Sequence, residues 1–352
     1  MSKKKTIEDI IRQKLREPRT IYLLGAGSSI CAGLPGIDDM TKIVQYKLKG
    51  TDRMLYDQLV ASLISNGIAA PAIEEILSEL SNRLNSSNLP SSEKVEVENT
   101  LSQICKYIQE ALFVEQPTLE HKEFLTRIVS RREAEPSHKA PPINIFTTNY
   151  DLLIELACEA SNLVTINGCE GIFHRQWNLA CFNLDIGRAT THTKTSRFKP
   201  SIRHVRLFKL HGSLSWFESN GEFYEEKPLK GSTKTPLIIY PSKLKYAQSI
   251  RPPFDWLFRK FGEEVYNAKL LVTIGYRFRD DNLNQYIFSG VSNGLSILVL
   301  SKEPIEAIVS LYNNLCVNVL NEQETIINGN THTDKTDLWD FQRFSQWIPA
   351  LN

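Results

Sequence analysis

The apolar positions of this chain follow two rules. Residues 6–17, TIEDIIRQKLRE, place Ile7, Ile10, Ile11 and Leu15 on one face at helical spacing, which predicts an amphipathic helix. Elsewhere the apolar residues come as short unbroken runs: Ile21–Leu24, Ile143–Phe146, LLVTI at 270–274 and SILVL at 296–300. Strands covered on both faces lose the apolar–polar alternation, so these runs predict the buried strands of a parallel sheet. Further strands are expected at 203–210 and 236–240. Helices are expected from an Asp38 N-cap to about Leu48, after TTNYD to about Ala160, near 254–267, from Asp281 and from Pro304.

Residues 52–132 break this alternation. No strand is expected there, only four helices at about 52–65, 71–84, 92–114 and 118–132, with Pro71, Pro90 and Pro117 at the breaks. Residues 133–142 read as a polar, Pro-rich surface connector, and 163–201 as polar and irregular. The fold expected is α/β: a doubly wound parallel sheet over 1–51 and 133–352, with 52–132 as a helical insertion. No internal repeat is visible.

Composition narrows the classes. The 352 residues are 41% hydrophobic and 23% charged, as in ordinary globular chains. Lys and Arg number 41 against 40 for Asp and Glu, a net charge of +1. That balance argues against a protein whose main task is coating nucleic acid, and no direct nucleic-acid binding is expected. There is no apolar run of ~20 residues and no signal-peptide core, so no membrane association is expected. The six cysteines, at 31, 105, 158, 169, 181 and 316, form no CxxC pair. A four-cysteine zinc module is therefore not written here, and the reading is a reduced, cytoplasmic protein with free thiols. His174, His192 and His204 with Cys169 and Cys181 fit no known ligand spacing, so no metal is expected.

Candidate chemistry sits at the strand ends. Gly25-Ala26-Gly27-Ser28-Ser29 follows the first strand; glycines let a ligand approach the backbone, and free amides at a helix start favour a pyrophosphate. The same residues also make a plain tight turn; the third glycine of GxGxxG is missing, since position 30 is Ile, and no Walker A motif occurs. Thr147-Thr148-Asn149-Tyr150-Asp151 ends the second run, where Asp151 is either a ligand contact or a helix cap. Lys209-Leu210-His211-Gly212-Ser213 presents a histidine that is either functional or structural. Gly275-Tyr276-Arg277-Phe278-Arg279-Asp280-Asp281 and Ser301-Lys302-Glu303 close the last two strands; the latter either meets a ribose or caps a helix.

In this order, the GAG turn, TTNYD, KLHGS and GYRFRDD segments resemble the sirtuin fold family, and most of all its NAD+ hydrolase branch in bacterial anti-phage defence. The resemblance covers about 20–36, 143–160, 203–217, 236–246 and 269–304, and leaves 52–132 outside. It implies a Rossmann-like sirtuin sheet and NAD+ as substrate. Gly25, Ala26, Gly27 and Ser28 would hold the diphosphate, Asn149 would orient a water or the nicotinamide ribose, and Asp151 would bond the nicotinamide carboxamide. His211 would be the general base, and Gly275 and Ser301 would lie along the adenosine half. Protein-deacylating sirtuins carry two cysteine pairs downstream of the histidine; only Cys316 stands there in this chain, and their small-residue-Pro-Asp-Phe-Arg stretch is replaced by Leu34-Pro35-Gly36-Ile37-Asp38. Both departures favour water over an acylated peptide as acceptor. The role implied is abortive infection through NAD+ depletion. Control is expected from a homo-oligomer or a separately encoded partner, such as a HerA-like ATPase or another sensor, because only ~30 residues follow the nucleotide-binding core, too few for a fused sensor domain.

Overall fold

The computed structural model describes residues 5–86, 89–133, 142–172, 175–190, 197–200, 203–231, 234–240, 251–311, 316–320, 324–333 and 336–349. In chain order its strands are β1 (Thr20–Leu24), β2 (Ile143–Thr147), β3 (Val164–Ile166), β4 (Cys169–Glu170), β5 (Arg175–Trp177), β6 (Gly187–Thr190), β7 (Arg197–Pro200), β8 (His204–Lys209), β9 (Trp216–Ser219), β10 (Glu222–Glu225), β11 (Leu270–Ile274), β12 (Ser296–Leu300), β13 (Cys316–Val319), β14 (Thr325–Ile327) and β15 (Asn330–His332). The helices are α1 (Ile7–Lys14), α2 (Ile37–Lys47), α3 (Gly50–Ser65), α4 (Ile73–Leu84), α5 (Ser91–Leu112), α6 (Leu119–Glu133), α7 (Leu153–Ala160), α8 (Phe254–Asn267), α9 (Asp281–Ser292) and α10 (Phe341–Trp347).

A nine-stranded sheet in the order β15-β14-β13-β12-β11-β1-β2-β8-β3 runs through the centre. From β3 to β13 every neighbouring pair is parallel, and β14 and β15 add an antiparallel edge. The strands are covered on both sides, which is why they read as unbroken apolar runs. Ile21, Leu23, Phe146, Phe208, Leu271 and Val299 face a core shared with α8 and α9. Tyr22, Leu24, Ile145, Leu207, Val272 and Leu298 face the opposite core with α1, α6, α7 and α10. Helices on both faces of a parallel sheet make the doubly wound α/β fold that the sequence implied.

The packing divides the helical block differently from the expected limits of 52 and 132. Met40 and Val44 of α2 share one core with Leu59, Ile76 and Ile104 of α3–α5. By contrast α6 lends Phe124, Leu125, Ile128 and Val129 to the sheet. The helical unit with a core of its own is α2–α5, because apolar contacts, rather than the absence of strands, decide membership.

Several local expectations shift for physical reasons. A 3-10 helix, Ala26–Ala32, follows the GAG turn and ends on Gly33 in the left-handed region. Gly36 takes the N-cap of α2, leaving Asp38 inside the first turn, where its charge meets the positive helix end. The 163–201 stretch holds short strands: β4 and β5 join β10 and β9 in a small four-stranded sheet. The 236–240 segment makes a single antiparallel bridge, Ile238 to Gly212, in place of a strand. The helix expected from Pro304 is a 3-10 turn, Glu306–Leu311. Residues 134–141 of the surface connector and 241–250 lie outside the described residues. No helix among the described residues is long and apolar enough to cross a membrane.

The turns after β1 and β11 cross backbone to backbone. A Cβ on Gly25 would lie 2.6 Å from the Gly275 carbonyl oxygen, and one on Gly27 would lie 2.6 Å from Gly275 Cα. Gly275 itself sits at φ +61°, a region side chains rarely enter. Gly275→Ala should therefore cost about 2–3 kcal/mol, through overpacking and backbone strain together. The check is the urea midpoint at unchanged m value, with Gly36→Ala, in open space, losing under about 1 kcal/mol.

Candidate functional site

Register gathers the candidate segments. Leu24 pairs with Thr147 on one side and Ile274 on the other, Thr147 with Lys209, and Ile274 with Leu300. These five residues end their strands in one row, so Gly25, Thr148, Leu210, Gly275 and Ser301 leave the sheet along one carboxyl edge. The chain continues from β1 to β2 on one side while β11 lies on the other, and such a reversal opens a crevice above the strand ends.

At the GAG turn, three amides already have partners. Gly25 N–H donates to the Ile274 carbonyl at 2.9 Å, Gly27 to Gly275 at 3.1 Å and Ser28 to Gly25 at 2.9 Å. The row of free amides expected for a diphosphate is thus largely used within the protein, and the glycines are required by the crossing itself. Ser28 Oγ donates to the Gly25 carbonyl at 2.8 Å and is buried. Burial pushes the thiol of nearby Cys31 up to about 11, which favours its protonated form.

Asn149 reaches across from β2 to this turn. Its Nδ2 donates to the Gly25 carbonyl at 3.0 Å, Ser29 Oγ at 2.9 Å and Ser28 Oγ at 3.3 Å. A carbonyl only accepts, so the amide orientation is fixed and Oδ1 remains as the group's acceptor. Asp151 is buried and each of its oxygens has a partner: Oδ2 accepts from Ser29 Oγ at 2.8 Å, and Oδ1 from the Leu153 amide at 3.1 Å at the start of α7. It therefore serves both as a cap and as a brace between the turns after β1 and β2.

Beneath them lies Lys209, a residue to which the KLHGS pattern assigns no role. Lys209 is 1% exposed, and its Nζ donates to the Asp151 and Tyr150 carbonyls and sits 3.0 Å from Glu155 Oε1. Burial pushes Glu155 up, against the pull of Lys209. A lysine ending an apolar strand was the available signal, since buried lysines are rare unless paired.

His211 leaves β8 between tight constraints. Gly212, at φ +88°, packs so closely on the Leu237 carbonyl that a side chain has no room. The Ile239 amide donates to the His211 carbonyl at 2.8 Å, and the Tyr150 hydroxyl to the Ile239 carbonyl at 2.6 Å. The imidazole is buried, lies 6.2 Å from the Phe258 ring, and places Nε2 2.8 Å from Asp280 Oδ2. Asp280 Oδ1 meanwhile caps α9, accepting from the amides of Asn282 and Leu283 at 3.0 and 3.3 Å. Asp280 stands within GYRFRDD, a segment whose pattern alone assigns it no part. Asn284, which no sequence motif marks, donates from Nδ2 to the Phe278 carbonyl at 2.7 Å, and its Oδ1 accepts from the Tyr276 hydroxyl at 3.2 Å. It clamps a loop in which buried Phe278 holds φ +54°, an uncommon conformation for a bulky residue. Ser301 Oγ donates to the Glu303 carbonyl at 2.9 Å, closing the turn beyond β12.

Residues 143–311 match the family model described as a SIR2-like domain. That segment is SIR2-like in sequence. The SIR2-like segment contains Asn149, Asp151, His211, Gly275, Asp280 and Ser301, and begins after the GAG turn and the helical unit. Among solved structures, a mutant Sir2 homologue complexed with 2′-O-acetyl ADP-ribose aligns at 12% identity and TM-score 0.48, over 97% of this chain and 95% of that one. A Sir2 homologue–NAD complex aligns at 13% identity and TM-score 0.46, over 97% and 93%. No curated protein matches the chain in sequence. Among the described residues no group of three or more His, Cys, Asp or Glu side chains could hold a metal ion. Cys169 and Cys181 are buried free thiols and His204 is buried, whereas His174 and His192 lie outside the described residues.

Two outcomes follow for stability. Lys209→Met leaves Glu155 without its cation and should destabilise the protein by about 3–5 kcal/mol, with most of the loss recovered in Lys209→Met/Glu155→Leu. Urea unfolding of the two single variants and the double gives the coupling directly. His121, buried against Thr118 and the Phe341 ring, is pushed down to about 4 by burial, against the raising pull of Asp151 and Glu120. The unfolded chain gains a proton on this residue below about pH 6.5 while the folded chain does not, so its contribution is present above that pH and lost towards pH 4. The unfolding free energy of His121→Gln should fall less than that of the wild type across this window.

Proposed function

We propose that the sirtuin-like chain hydrolyses NAD+ to nicotinamide and ADP-ribose at the carboxyl edge of its sheet. The observation that carries this reading is the convergence of Asn149 and His211 from neighbouring strands β2 and β8, with the Asn149 amide locked so that Oδ1 is left as an acceptor. In this reading Gly25, Ala26, Gly27 and Ser28 line the diphosphate, Asp151 with Ser29 borders the nicotinamide carboxamide, and Gly275 and Ser301 follow the adenosine half. When the C1′–nicotinamide bond breaks, its electron pair passes to the ring nitrogen, and nicotinamide leaves neutral without an acid. The ribose takes oxocarbenium character, which the fixed Asn149 carbonyl dipole steadies. Water then forms the new C1′–O bond and gives its proton to His211.

The biological setting we propose is anti-phage abortive infection, with activity released by self-association or by a separately encoded partner such as a HerA-like ATPase. An unrestrained enzyme of this kind would deplete its own cell, and the α2–α5 unit lies outside the SIR2-like segment, leaving a surface for control. The test is chromatography of nicotinamide and ADP-ribose from the purified chain, alone and with its gene-neighbour product. His211→Ala and Asn149→Ala should each lower turnover per folded molecule by about 10²–10⁴, measured beside the melting temperature, which the lost buried hydrogen bonds lower in both. Equal turnover per folded molecule in either variant removes that residue from the reaction, and release of O-acetyl-ADP-ribose with an acetyl-lysine peptide replaces hydrolysis by deacylation.

A further inference from the structure

We infer that a cavity between α5 and β9 binds a second ligand, of the nucleoside diphosphate class. The cavity holds about 380 Å³, within the range of about 300–1,000 Å³ usual for small-molecule sites. One wall is Lys47 of α2 with Lys106, Glu110 and Phe113 at α5. The other is Leu214 and Phe217 of the chain around β9, with Lys230, Lys234 and Pro236 beyond β10. None of Gly25, Asn149, Asp151, His211, Gly275 and Ser301 lines it.

The charge of the lining points to an anion. Four lysines face one acid, Glu110, an excess of three positive charges in a chain whose net charge is +1. Glu110 pairs with Lys47 at 2.7 Å, and Glu226, beside the cavity, pairs with Lys234 at 2.5 Å. Like charges gathered round a concave wall repel one another and focus their field into it, and a bound anion relieves both. Lys47 ends α2, where a cation offsets the negative end of the helix. No helix end accounts for the others: Lys106 stands within α5, and Lys230 and Lys234 follow β10. A terminal diphosphate carries about three negative charges near neutral pH, which is the size of the excess.

The rest of the lining points to a flat ring on the same molecule. Leu214, Phe217 and Pro236 are buried and Phe113 is half-buried, so the cavity has an apolar floor beneath its lysines. Lys234 Nζ stands 5.6 Å over the Phe217 ring, which puts an ammonium and an aromatic group side by side. A base can stack on such a surface while its phosphates reach the cations. An acidic peptide or a free phosphate would use the lysines and leave the floor unused. A ligand seated here would touch α5 and the chain three residues beyond His211, joining the helical unit to the SIR2-like segment.

The experiment titrates ADP into the full chain by calorimetry, beside pyrophosphate, adenosine and a polyglutamate peptide. ADP should bind with an affinity that falls as salt rises, pyrophosphate more weakly and adenosine not measurably. Lys106 and Lys230 are both exposed, so Lys106→Glu/Lys230→Glu should keep the melting temperature of the wild type. In that variant one equivalent of ADP should bind about 10–100-fold more weakly, with NAD+ affinity unchanged. A second measurement needs no variant: ADP should protect Lys106 and Lys230 of the wild type from acetylation, read by mass spectrometry. Full ADP binding in the double variant overturns the inference, as does acetylation of both lysines at an unchanged rate. Pyrophosphate or polyglutamate binding as tightly as ADP overturns the nucleotide class. NAD+ affinity that falls together with that for ADP overturns a second site. None of these readouts requires that the chain consume NAD+, so they stand apart from the hydrolase reading.

Discussion

The crossing of the turns after β1 and β11 sets the geometry of everything above the sheet. Gly25 and Gly27 lie against Gly275 with no room for a Cβ on any of them. Hydrogen bonds from the Gly25 and Gly27 amides to the Ile274 and Gly275 carbonyls tie the two strand ends together. Close backbone contact of this kind tolerates little adjustment, because there is no side chain to turn aside. The turn after β1 therefore offers Asn149 a fixed carbonyl, and the loop after β11 starts from a fixed point on its way to Asp280.

From that crossing the site divides into two braced halves. In one, Asn149 and Asp151 bind the turn after β1 through Ser28 and Ser29, while Lys209 holds the Tyr150 and Asp151 carbonyls from below. In the other, Asn284 holds the strained loop through Phe278, so that Asp280 meets both the start of α9 and His211. Each side chain aimed at the crevice is thus backed by a second one bonded to main chain. Such support is what keeps a reacting group in one orientation without cost at the moment of reaction.

The SIR2-like segment and the helical unit answer to different constraints. The segment is organised by strand register, which brings distant residues to one edge. The α2–α5 unit is organised by its own apolar core. A unit held by an apolar core of its own does not depend on strand register for its packing.

The amino-acid sequence by itself determined the doubly wound sheet, because strands buried on both faces must be written as unbroken apolar runs, and Ile21–Leu24, Leu270–Ile274 and Ser296–Leu300 are written so. It also marked the strand ends as candidates for chemistry, since polar and glycine residues there interrupt an apolar pattern. The limits of the helical unit were not legible: α2 and α6 share the same periodicity, and only packing sends one to the helical core and the other to the sheet. The 236–240 run reads as a strand, yet Ile238 bridges only Gly212, because pairing depends on what lies alongside. The glycines of the GAG turn were visible, but their need came from Gly275, about 250 residues away. Asp280 likewise carries no mark in the sequence of its two partners, the start of α9 and His211, which only folding brings to it. Tertiary structure decided these points because each depends on two distant segments meeting, and local residue pattern carries no record of its partner.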